Sequence, residues 1–450
     1  MPTLSELASA LAGSGKAFSR SMVEDCLTRI GDTKGQGSRA FLKVHAEQAR
    51  AAATYHDQAR RHGSAASPFA GIPISIKDLF DIAGDVTSAG SVVLRNAEPA
   101  SRDAIAVARL KATGFIPVGR TNMTEFAFSG LGINPHYGTP LNAFDRGTSR
   151  IPGGSSSGAA VSVTDGMAYA ALGTDTGGSC RIPAALCGLV GFKPTARRVP
   201  LKGVLPLSTS LDSIGPIASS VACCATLDAV LAGEPPTDLP TFPLDGLRLA
   251  VPQTLVFDGI DATVSAAFAA AQSRLSEAGA KIVEIPLREL AELAQINRLG
   301  GFGAAESYAF HRQLIERQHD LYDQRVVSRI LRGREQSAAD YIELIQARAN
   351  FIYRLAAIMA PYDALVMPTV PIVAPRLVDL EADDAYRDIN LLMLRNPTVA
   401  NFFDGCSISI PCHRAGDAPV GLMLVGPSNG DARLLAIAAA IEELISSNLH

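Results

Sequence analysis

Charged residues are scarce in this chain and nearly balanced in sign. Lys, Arg, Asp and Glu make up 19% of the 450 residues, and the formal net charge is −4. With no basic stripe, a nucleic-acid partner has no electrostatic support. The seven cysteines are an odd total with no CxxC spacing, which argues against a disulfide framework. Adjacent Cys223 and Cys224 fall in a helical stretch and read as packing residues. Long apolar runs are missing as well, since none approaches the roughly 20 residues a membrane helix needs. The N-terminal stretch MPTLSELASALAGSGKAF has no basic residues ahead of an apolar core and carries Glu6, so it does not read as a secretory signal. The expected compartment is therefore the cytoplasm, with no membrane association. Apolar residues, by contrast, are plentiful at 47%, enough for a large core. The length allows two or three domains or one large α/β unit.

The most informative stretch runs from Arg150 to Thr195. It opens with the small residues Gly153, Gly154, Ser155, Ser156, Ser157 and Gly158, which lead into an Ala-rich helical segment. A second Gly-Ser cluster, Thr174 to Ser179, follows a short apolar strand and precedes Arg181. Three chemistries compete for these loops. A phosphate-binding P-loop needs Lys and then Ser or Thr after its last Gly, but Ala159 and Ala160 stand there. Gly154 to Gly158 formally fits GxSxG, yet a nucleophile elbow requires an apolar strand running into the serine, and Asn142 to Pro152 is polar with Asp145, Arg146 and Arg150. The third chemistry is acyl transfer. Thr176, Gly177, Gly178 and Ser179 offer successive backbone amides, the kind of fixed donors that a developing oxyanion requires.

A nucleophilic Ser179 needs a base. Among the eight histidines, His136 alone lies near these loops in sequence, so a His triad is possible but not indicated. Lys77 is the better candidate, because it ends the strand-like run Gly71-Ile72-Pro73-Ile74-Ser75-Ile76-Lys77. A desolvated lysine can lose its proton near neutral pH, and Ser-Lys pairs are a variant of triad logic. On local composition alone, the ordinary reading of Lys77 is a strand-end lysine with its head in water.

Lys77, Ser155 and Ser179, set in order among GGSS, GTDTGGS, RIPAA and GFKPT, resemble the amidase signature family. The likeness is dense over residues 71 to 216, including NMTEFAFSG and SLDSIGP. It weakens in the middle of the C-terminal half and returns at Ser407 to Pro411 and Pro419 to Leu422. The resemblance implies an α/β fold: a single large domain whose central mixed, partly parallel sheet is covered by helices on both faces. It also implies a Ser-Ser-Lys triad in which Ser179 attacks the amide carbonyl, Ser155, after a cis peptide from Gly154, relays protons, and neutral Lys77 accepts them. No metal or cofactor is implied. The expected substrate is a small-molecule amide, hydrolysed through an acyl-enzyme to a carboxylate and ammonia or an amine.

Around that triad, Asp175 and Arg181 are expected to pair with one another and hold the oxyanion loop, in preference to Arg181 binding an anionic substrate group. Ser129, Gly130 and His136 lie in a loop expected to line the site, with His136 facing solvent in preference to touching substrate. Ser156 reads as a cap or loop donor, and Ser157 departs from the glycine that the family commonly has there. The segment after Met123-Thr124-Glu125-Phe126 lacks the Gly-Ser-Ser-Thr-Glu type of stretch typical of the glutaminase component of a tRNA-dependent amidotransferase. A stand-alone amidase is therefore preferred. GGSSSG is reminiscent of hydrolases acting on urea-like amides such as allophanate, which often carry a further C-terminal domain; none follows up to His450. A catalytically silent scaffold is the alternative of another class, and the intact Lys77, Ser155 and Ser179 argue against it. A homodimer is expected from base rates alone.

The expected organisation is one amidase domain over 1–450: an N-terminal helical wrap (1–65), the signature core (66–216), and a substrate-pocket region that returns to the sheet (217–450). Helices are expected at Leu4 to Ala12, Ser19 to Ile30, Phe41 to Arg61 and Ala104 to Thr113, the last capped by Asp103, and across residues 289 to 360. Pro235 to Pro243 reads as a surface linker. Strands are expected at Gly71 to Lys77, Phe115 to Gly119, Leu247 to Val251, Lys281 to Ile285, Ala364 to Pro368, Cys406 to Ile410 and Val420 to Val425.

Overall fold

Short runs rich in Ile, Val, Leu and Ala form eleven strands in the computed structural model, which describes residues 1–13 and 18–446. They are β1 (Phe41–Val44), β2 (Pro73–Lys77), β3 (Ile116–Thr121), β4 (Ala170–Asp175), β5 (Val190–Lys193), β6 (Ser213–Ala218), β7 (Arg248–Pro252), β8 (Lys281–Ile285), β9 (Ala364–Pro368), β10 (Ser407–Pro411) and β11 (Gly421–Val425). All join one sheet in the order β1-β3-β2-β4-β6-β5-β10-β11-β9-β7-β8. Pairing is parallel within β3-β2-β4 and within β9-β7-β8. The other neighbours are antiparallel. The sheet is thus mixed and partly parallel, and its central strands are buried on both faces, as helix-covered sheets are.

Strand periodicity decides which side chains meet the site. Successive residues of a strand point to opposite faces, and Ile74 and Ile76 of β2 enter the largest core cluster with Val107, Leu110, Leu227 and Leu231 of the helices Ile105–Thr113 and Val221–Ala232. Ser75 and Lys77 therefore point the other way. There Ser75 Oγ lies 2.8 Å from Ser162 Oγ in the helix Ser157–Thr164. The same face holds Ala159, Ala160 and Val163 against Ala171, Ala184 and Ile217.

Two expectations at the N-terminal edge are corrected. Residues 41 to 44 are not helical: they form β1, antiparallel to β3 with Phe41 opposite Thr121, and the helix begins only at Ala46. The sheet edge supplied backbone partners that outweighed the helical propensity of the Ala- and Arg-rich residues beyond. Asp103 does not cap the helix Ile105–Thr113, whose N-cap is Ala104 without a side-chain bond. The Asp103 carboxylate instead accepts from Ala83 N at 2.8 Å and pairs with Lys111. A long helix, Asp383–Phe403, was not foreseen, and Pro397 lies inside it. Proline in a helix interior reads as a breaker, yet this helix packs directly over the site.

Candidate active site

Lys77 is at the C-terminal end of β2, an interior strand between β3 and β4, and has no exposed surface. Its Nζ lies 2.7 Å from Ser155 Oγ and 2.8 Å from Thr174 Oγ1. Burial pushes this amine down to about 8, against the opposing pull of nearby carboxylates including Asp175 and Asp212. A buried charge with no carboxylate in contact is costly, so burial makes the neutral amine far more accessible than in an exposed lysine, and the lone pair of that neutral form can take a proton from Ser155.

Ser155 stands between two stretches of backbone that fix it from both sides. The Gly154-Ser155 peptide is cis, Gly154 N donates to Gly130 O at 2.8 Å, and Thr124 N donates to Ser155 O at 3.1 Å. Gly132 must be glycine here: its φ is +80°, and a Cβ would come 2.2 Å from Gly153 O. Ser156 occupies the N-cap of the helix Ser157–Thr164 without a side-chain cap bond; its hydroxyl reaches Thr174 O at 3.5 Å. Ser157 is buried, with its hydroxyl 3.5 Å from Asn122 O. The two serine loops touch where Ser156 N donates to Ser179 O at 3.3 Å.

Ser179 is only 3% exposed, and its hydroxyl has no protein hydrogen-bond partner among the described residues, Ser155 included. Asp175, the last residue of β4, organises the loop that follows it and carries Ser179. Its carboxylate accepts from Gly178 N at 2.8 Å, Cys180 N at 3.1 Å and Asn401 Nδ2 at 3.0 Å. It also forms a two-pronged pair with Arg181, from Nε at 3.0 Å and Nη2 at 2.8 Å. Burial alone would raise the Asp175 carboxyl, but the Arg181 charge and these hydrogen bonds hold it well below the usual carboxylate range. Arg181 is spent on structure: it also donates to Pro397 O at 3.0 Å and Asn401 Oδ1 at 2.6 Å. The expected Asp175–Arg181 pairing is what the fold contains, not an open anion site.

The four amides expected to form an oxyanion hole divide accordingly. Gly178 N is taken by Asp175, whereas the amides of Thr176, Gly177 and Ser179 meet no protein acceptor among the described residues. The Thr176 hydroxyl donates to Asp212 Oδ1 at 2.5 Å, and Asp212 also accepts from Leu207 N at 3.0 Å and Ser208 N at 3.1 Å. Burial pushes the Asp212 carboxyl up to about 6 despite those donors.

In the 122–138 loop, Ser129 donates to Asn390 Oδ1 at 2.8 Å and accepts from Tyr386 OH at 2.9 Å, and Gly130 N donates to the same Asn390 oxygen at 2.9 Å. Both are loop anchors. His136 neither faces open solvent nor stands free: its Nε2 lies 2.9 Å from Glu125 Oε1. That hydrogen bond raises the imidazole pKa. Glu125 in turn accepts from Ser91 and from Asp323 N.

Thr174, Asp212, Asn390 and Asn401 also contact the site, and none of them is among the residues expected from the sequence. Thr174 and Asp212 lie in the motif stretches GTDTGGS and SLDSIGP, where a buried polar residue was a usable signal. Asn390 and Asn401 belong to the unforeseen Asp383–Phe403 helix, where no motif points to them. Among the described residues no group of His, Cys, Asp or Glu could hold a metal, and no helix is long and apolar enough to cross a membrane.

The model of the Amidase family matches residues 21–435. The chain is 39% identical to 2-amino-5-chloromuconic acid deaminase of Comamonas testosteroni over 412 residues, 90% of this chain and 88% of that protein. It is 34% identical to the A component of a glutamyl-tRNA(Gln) amidotransferase from Chloroflexus aggregans, across 98% of this chain and 96% of that one. A crystal structure of an amidase superposes with a TM-score of 0.89 at 30% identity, covering 99% of this chain and 100% of the other.

Proposed function

This chain belongs to the amidase family and hydrolyses an amide C–N bond, and we propose that Lys77, Ser155 and Ser179 carry out the reaction. Ser179 Oγ attacks the carbonyl carbon while its proton passes to Ser155 Oγ, and the proton of Ser155 passes to Lys77 Nζ. The carbonyl oxygen becomes an oxyanion held by the amides of Thr176, Gly177 and Ser179; Gly178 N is committed to Asp175 and takes no part. Ser155 then protonates the leaving nitrogen and recovers a proton from Lys77, so the C–N bond breaks and an ester on Ser179 remains. Water cleaves that ester by the same proton route, releasing carboxylate and restoring Ser179. The Ser155–Ser179 contact is made with substrate in place, since catalytic hydrogen bonds commonly tighten only in the Michaelis complex.

The observation that carries this reading is the unexposed Lys77 amine 2.7 Å from Ser155 Oγ, with the Ser155 and Ser179 loops in backbone contact. A relative named as a deaminase favours ammonia as the leaving group. The functional unit spans 1–450, with 1–65 as wrap, 66–216 as signature core and 217–450 supplying the pocket. Seven unpaired, buried cysteines support a reducing cytoplasm. A fluorophosphonate probe should label wild-type protein at Ser179, and Ser155→Ala and Lys77→Met should label far more slowly. Well-folded wild type that stays unlabelled would return the chain to the silent-scaffold reading. The purified chain should turn over primary amides by itself; turnover of glutamine alone, and only with added partners, would favour an amidotransferase component.

A further inference from the structure

The two loops of the proposed site share a neighbour that no motif marks. A Cβ built on Gly130 would lie 3.2 Å from Leu394 Cδ2 and 3.3 Å from its Cγ, while one on Gly177 would lie 3.6 Å from the same Cδ2 and 3.4 Å from Thr398 Oγ1. The Leu394 side chain therefore spans from the loop that positions Gly154, beside Ser155, to the loop with the free amides beside Ser179. Thr398 follows one turn later on the Asp383–Phe403 helix and reaches Gly177 O at 3.5 Å. Neighbours Met393, Asn396, Pro397 and Val399 are buried, but Leu394 and Thr398 are only half-buried. Leu391, one turn before Leu394, is 60% exposed. Positions 391, 394 and 398 share one helix face, so this face runs from solvent down onto the reacting loops.

The helix cannot easily slide away from them. Asn390 holds Ser129 and Gly130, Asn401 holds Asp175, and between them Asn396 Nδ2 donates to Pro368 O at 2.9 Å and Val256 O at 3.1 Å. Leu394 is thus a fixed apolar wall.

Substrate orientation identifies what the wall meets, given the proposed roles of Ser155 and Ser179, on which this inference rests. The leaving nitrogen must face Ser155, which delivers its proton and has no exposed surface. The acyl substituent must then extend the other way, toward the half-open face.

We propose that Leu394, flanked by Thr398 and with Leu391 at the entrance, forms the acyl-pocket wall and selects amides with narrow, unbranched apolar acyl groups.

The test uses primary amides, so that only the acyl group varies, and compares kcat/KM for a short linear amide with that for branched and aromatic ones. One missing methylene in a hydrophobic pocket shifts selectivity by about 10- to 200-fold. Leu394→Ala should therefore raise the branched-to-linear ratio at least about tenfold, mainly through KM, and Leu394→Phe should lower it. Leu394→Val, which keeps the branched side chain, is read alongside, so the series remains informative if the alanine variant melts early. Unchanged ratios in well-folded variants, with wild-type Ser179 labelled by the fluorophosphonate, would overturn the wall and leave the triad standing. An unlabelled wild type would instead bring down the triad reading beneath it.

Discussion

Replacing Lys77 with Met removes the amine while keeping a flexible apolar side chain of similar length, and the structure sets the size of the effect. Burial lowers Lys77 from 10.5 to about 8, a difference of about 3 kcal/mol against the charged form. At pH 7 about a tenth of the molecules then hold the neutral amine, against roughly one in three thousand for an unperturbed lysine, so burial enlarges the competent population about 300-fold. Acylation of wild type should rise nearly tenfold per pH unit below 7 and level off above about 8, and Lys77→Met should lose on the order of 10²–10⁴ of the rate. Stability follows the same proton. Between pH 8 and 10.5 the unfolded chain binds more protons at this lysine than the folded one does, so folding becomes more favourable as pH rises through that window. Urea melts at pH 7.5 and pH 10.5 should therefore differ by about 3 kcal/mol more in wild type than in Lys77→Met. Comparing the two proteins also cancels Lys193, another buried lysine pushed down to about 8. Single-turnover acylation measured by stopped flow is the rate assay. A profile flat from pH 6 to 9, or a Met variant within tenfold of wild type, would refute the reasoning.

Three further outcomes are expected. Arg181→Met leaves the unexposed Asp175 carboxylate without its partner and should cost about 3–5 kcal/mol in a chemical melt, because a single buried charge is left behind; an unchanged midpoint would show that the pair does not hold the loop. Thr176→Val removes the bond to Asp212 and should slow acylation by up to about 100-fold with little loss of stability, and Thr176→Ser should restore it; equal rates for Val and Ser would dismiss that contact. His136, raised by Glu125, contributes stability that is fully present below the unfolded-state pKa near 6.5 and lost as pH rises through its higher folded value. His136→Gln should flatten the pH dependence of the melting temperature above pH 6.5, and an unaltered slope would exclude the pair as its source.

The amino-acid order alone determined which chemical groups were available: a lysine ending an apolar strand, serines in two glycine-rich turns, and a carboxylate close enough in sequence to Arg181 to pair with it. Those features are local, and alternation of Ile with Ser and Lys along β2 already assigns Lys77 to one face of the sheet. Contacts between distant segments are a different matter. Lys77 meets Thr174 across 97 positions and Asp175 meets Asn401 across 226, because strand order places β4 beside β2 and packs the Asp383–Phe403 helix onto the turn after β4. No local window records which backbone amide is already consumed, so Gly178 could not be told from Gly177 until Asp175 was seen to take one of them. The same holds for β1, where an antiparallel partner 80 positions away overrode helical propensity, and for Leu394, whose importance lies in bridging two loops that are themselves brought together only by folding.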